Sequence, residues 1–69
     1  MEYVVVYVKG DDIKIISRHE TKEDALKAGD IANKSKTGDG VISCIYGNIS
    51  DDGTINGRHY MIKTWIFRA

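Results

Sequence analysis

Glu2-Tyr3-Val4-Val5-Val6-Tyr7-Val8-Lys9-Gly10-Asp11-Asp12-Ile13-Lys14-Ile15-Ile16-Ser17-Arg18 is the stretch that decides the fold. Val4 to Val8 is β-branched or aromatic at every position, and such side chains suit a pleated, half-buried surface, so a strand starts near Glu2. Lys9 to Asp12 reads as a turn. Gly10 takes positive φ without steric cost, and the aspartates can bond their own backbone. Ile13 to Arg18 is then a second strand, and the two form a hairpin.

The rest of the chain follows outward from this hairpin. Thr21 is an N-cap whose hydroxyl can accept the Asp24 N–H, and Glu23 and Asp24 suit the positive end of the helix dipole. The helix runs to about Asn33–Lys34, with Glu23/Lys27 and Asp30/Lys34 at favourable i, i+4 spacing. The stretch Lys36-Thr37-Gly38-Asp39-Gly40 stops it. A third strand begins at Val41 and extends to about Ser50, Asp51-Asp52-Gly53 turns the chain, and Arg58 to Phe67 forms the fourth. Asn56-Gly57 reads as a bulge or as the true turn. The expectation is a single α+β domain over residues 1–69, β-β-α-β-β, with one helix on one face of a four-stranded sheet. The first and fourth strands are apolar on both faces, which favours the order 2-1-4-3. The alternative sets the third strand beside the first and is antiparallel throughout.

Composition bounds what such a domain does. The chain has 69 residues, 42% hydrophobic and 29% charged, with no proline, one cysteine, and ten basic side chains balancing ten acidic ones. That is a small globular composition with no overall charge to draw nucleic acid or a membrane surface. No apolar run approaches the ~20 residues that cross a bilayer, and Met1-Glu2-Tyr3 opens without a basic segment ahead of a hydrophobic one. One cysteine makes no internal disulfide. A cytoplasmic, membrane-free protein is expected.

Alternation assigns the faces. Closing the first hairpin at Gly10-Asp11 pairs Val8 with Ile13, Val6 with Ile15 and Val4 with Ser17 on a smooth apolar face. The opposite face pairs Tyr7 with Lys14, Val5 with Ile16 and Tyr3 with Arg18. Closing the second at Asp52-Gly53 puts Val41, Ile45, Ile49, Tyr60, Ile62 and Ile66 on one side. Ile42, Cys44, Tyr46, His59, Met61, Lys63, Trp65 and Phe67 fall on the other. A bulge at Asn56-Gly57 would shift this register. The helix stripe Ala25, Ala28, Gly29 and Ala32, flanked by Leu26 and Ile31, is assigned to the Val/Ile face. The aromatic face is left open, an apolar patch too large to stand idle. Its candidate binding residues are Tyr3, Tyr7, Lys14, Arg18, Tyr46, His59, Met61, Lys63, Trp65 and Phe67.

Other chemistry is set aside. Cys44 and His59 share a face, but a mid-strand cysteine is usually a small buried hydrophobe, and no acid is placed to orient the histidine. His19 reads as solvated at a strand end. Asp39-Gly40 and Asp51-Asp52-Gly53 lack the alternating carboxylates and terminal glutamate of a calcium loop. Gly38-Asp39-Gly40 lacks the lysine and helix of a phosphate loop. No cofactor or metal is expected, and no enzyme. A sheet with aromatics on its open face is similar to RNA-binding sheets in general, but the RNP-type signatures are absent. The size matches short phage and mobile-element proteins that bind and block a host protein, an analogy of size alone.

The expected function is a small interaction domain acting through the aromatic face, with Trp65 as anchor. It would form a homodimer and act on another protein. The alternative is a single-stranded nucleic-acid binder, with Tyr3, Tyr7, Tyr46 and Trp65 stacking bases and Lys14, Arg18 and Lys63 meeting phosphates.

Overall fold

The computed structural model describes residues 1–66 and places β1 at Glu2–Lys9, β2 at Asp12–His19, α1 at Lys22–Ser35, β3 at Val41–Ile49 and β4 at Ile55–Ile66. These are the expected elements in the expected order. The Thr21 hydroxyl caps the helix by accepting from Asp24 N at 3.3 Å. The sheet is antiparallel throughout in the order β2-β1-β3-β4. This is the alternative arrangement, and the preferred order 2-1-4-3 does not hold. The centre belongs to β1 and β3, where Val4, Val5 and Val6 and then Ile42, Ser43, Cys44 and Ile45 are all buried, whereas β4 lies at an edge and is exposed along most of its length.

The helix lies on the face opposite to the one expected. Ala25 packs in a cluster with Val5, Ile42, Cys44 and Trp65, and Tyr3, Tyr7, Leu26, Ala28, Ala32 and Ile62 pack around it. The stripe of Ala25, Ala28, Gly29 and Ala32 does face the sheet, but against its aromatic side, and Ile31 at its flank is exposed. The reason is volume. A stripe of alanine and glycine leaves room for large side chains, and the sheet's large side chains are its aromatics. Gly29 shows this most directly: a methyl group there would lie 2.1 Å from Trp65 Cη2.

The Val/Ile face is covered as well, by the chain's own β3–β4 hairpin. Val4, Val6, Ile45 and Ile49 form a second buried cluster, with Val8, Ile13, Ile15 and Ile55 packed against it. The pairing of β3 with β4 is irregular between Tyr46 and Asn48. Beyond that point the end of the hairpin folds back over the face. Its turn comes so close to β2 that a methyl group on Gly53 would lie 2.8 Å from the Ile13 carbonyl oxygen. One helix therefore does not leave one face bare, because this arm supplies the second cover.

Two bulges set the remaining side chains. The first hairpin keeps the expected register from Lys9 to Val6, then Ile16 is extra and the pairs become Val5 with Ser17 and Val4 with Arg18. Arg18 thereby changes face. In β4, Ile62 is extra between the pairs Cys44–Lys63 and Ile45–Met61. Ile62 stays with the helix-side cluster, while Met61 passes to the far face and Tyr60 comes opposite Tyr46. The irregularity expected near Asn56-Gly57 is present, and the turn is at Asp51-Asp52-Gly53.

Candidate functional site

The structure separates the nine expected binding residues that it describes. Trp65 is 7% exposed, and its indole N–H donates to Asp30 Oδ1 at 2.6 Å. The Tyr3 and Tyr46 rings stack with centroids 4.5 Å apart and are half-buried. The Tyr7 hydroxyl donates to the Asp39 carbonyl. An exposed Trp65 anchor is thus overturned: Trp65 lies in the helix-side core, with Tyr3 and Tyr7 packed against it. Lys14 is exposed opposite Tyr7, as expected. Phe67 lies outside the described residues.

Arg18 serves as a clamp. From the far face it donates to the Ile49 carbonyl at 2.8 Å and to Asp51 at 3.0 Å, and it pairs with Glu2. The hydrogen bond to Glu2 is the main cause that raises its pKa further. It holds the folded hairpin to β2 and is committed to carboxylates, so it has little left for a phosphate.

His59, Met61 and Lys63 remain exposed, all on β4. Sequence reasoning missed their companions. Tyr60 and Ile66, expected to face the helix, are 50% and 63% exposed, and Met61 is 59% exposed. Met61 and Ile66 pair with Ile45 and Val41 and so share the far face. Lys63 Nζ sits 5.0 Å over the Trp65 ring and 4.0 Å from Asp30. From Ile55 to Ile66 the strand carries Arg58, His59 and Lys63 and no carboxylate. Only β3 pairs with β4 among the described residues, so the outer backbone edge of a strand of 12 residues is unpaired.

Among the described residues nothing else assembles a reactive site. Cys44 is buried opposite Lys63 rather than beside His59, and burial pushes its thiol up, tempered by the charge of Lys22. A buried thiol of this kind is a poor nucleophile. A shallow cleft is lined by Met1, Glu2, Asn48, Ile49, Ser50 and Asn56. There Glu2 is engaged by Arg18, and Asn56 donates to the Ser50 hydroxyl at 2.8 Å. Among the described residues no cluster of histidine, cysteine and carboxylates could hold a metal ion, and no helix is long and apolar enough to cross a membrane. Comparison with protein-family models, with curated proteins and with solved structures finds no significant match to this chain.

Proposed function

We propose that this chain is a small non-enzymatic interaction domain whose working surface is the outer side of β4. One observation carries the reading: a long edge strand, unpaired on its outer side, presents Tyr60, Met61 and Ile66 each at least half exposed. An unpaired edge offers a row of backbone donors and acceptors to another chain, and exposed apolar side chains beside it add area that water would leave on docking. Tyrosine and methionine are also enriched where proteins meet. The geometry supports this over a base-stacking platform, because Trp65, Tyr3 and Tyr7 are in or against the core and the Tyr46 ring is already packed on Tyr3.

The reading is tested with a photo-crosslinking side chain placed at Met61 or Ile66, and at Lys27 and Lys34 on the helix as controls, in cells that carry the chain. Adducts at the β4 positions that map to one contiguous segment of one partner are expected. Equal yields from the helix positions would contradict it.

A further inference from the structure

We infer that the segment received by β4 is extended, acidic and supplied by another protein, adding to the sheet as a fifth strand. This rests on the reading of β4 as the working surface. The charge pattern carries it. Arg58, His59 and Lys63 stand along β4 without a carboxylate among them, although the whole chain is neutral. Lys63 lies 4.0 Å from Asp30, which also accepts from Trp65, and Lys63 remains half exposed. Opposite charges on neighbouring strands attract and like charges repel. A second copy pairing through β4 would set one basic strand beside another in every register. The same side chains that keep two copies apart therefore favour a strand bearing aspartate or glutamate, so one set of residues both excludes and selects. The other edge, β2, mixes Asp12 with Lys14 and Arg18, and it offers no such bias.

Three synthetic ten-residue peptides test this, alternating threonine with glutamate, glutamine or lysine. Each is titrated at low salt into the isotopically labelled full chain while backbone amide shifts are followed. The glutamate peptide should move the amides from His59 to Ile66 and bind roughly tenfold more tightly than the glutamine peptide. The lysine peptide should leave them unmoved, and Arg58→Glu should narrow the preference. If the glutamate and glutamine peptides move β4 equally, the acidic partner is overturned and β4 stands as the surface. If no peptide moves β4, or β2 responds instead, the reading of β4 itself falls.

Discussion

Trp65 donates its indole N–H to Asp30 Oδ1 at 2.6 Å, and its ring lies directly under Gly29, the residue before that aspartate. The single tryptophan and the helix are thus fixed to each other at adjacent positions, one by shape and one by a hydrogen bond.

Gly29→Ala sets helix propensity against packing. Alanine gains about 1 kcal/mol over glycine inside a helix. Its methyl group, however, would lie within 2.6 Å of three atoms of the Trp65 ring. Overpacking a close-fitted core costs about 1–3 kcal/mol, and an overlap this deep belongs at the upper end. A net loss of about 1–2 kcal/mol is expected in urea unfolding. A gain in stability would mean that the helix does not rest on the tryptophan.

Gly53→Ala should cost more than Gly10→Ala. Both glycines have positive φ, at 89° and 61°, so each substitution carries the left-handed penalty of about 1–2 kcal/mol. Nothing lies within 4 Å of a methyl group at Gly10, whereas one at Gly53 would press on the Ile13 carbonyl at 2.8 Å. The Gly53 variant should therefore lose about 2–4 kcal/mol. Equal losses by urea unfolding would show that the hairpin arm does not lie on β2.

The turn of that arm should weaken in acid. Hydrogen bonds from Thr54, one of them its N–H to Asp52 Oδ1 at 2.9 Å, hold the Asp52 carboxyl below its ordinary range. A carboxylate depressed in the folded state contributes stability above its unfolded pKa. That contribution fades as pH falls from the ordinary aspartate range through the folded value. Asp52→Asn keeps an acceptor for Thr54 but no longer titrates there. Urea midpoints followed downward from neutral pH should fall more steeply for the natural chain than for the variant. Parallel profiles would remove Asp52 from the account.

The local elements were legible because each carries its own chemistry: Thr21 as a cap, Gly10 and Gly53 at turns, unbroken β-branched runs between them. The pairing of faces was not. Alternation shows that Tyr3, Val5, Tyr7 and Trp65 share a side, but it does not show which side the helix takes. The usable signal was the size of the helix stripe, since Gly29 and its alanines call for a large partner such as Trp65. The adjacent pair Ile15-Ile16 does not announce the bulge that carries Arg18 to the other face, because in a sheet covered on both sides neighbours such as Val4, Val5 and Val6 are all buried. Nothing local in Met61-Ile62-Lys63 announces the bulge at Ile62, so Tyr60 and Met61 could be placed only by the pairing itself, whereas Ile66 shares the face of Val41 as alternation expects and is left exposed because the helix takes the other face. The fold of the hairpin arm over β1 and β2 is likewise a long-range event, made by Ile49, Ile55, Gly53 and Arg18 together.

The assignment of β4 as the working surface depends on the aromatic face being core, and Trp65 reports on that alone as the chain's one tryptophan. The direct measurement is its fluorescence emission, together with quenching by acrylamide, in the folded chain and in urea. Emission shifted to the blue of the unfolded chain, with quenching that becomes efficient only on unfolding, is the result expected of an indole beneath the helix. Emission and quenching already at their unfolded values in the folded chain would contradict the account and return the aromatic face to the surface.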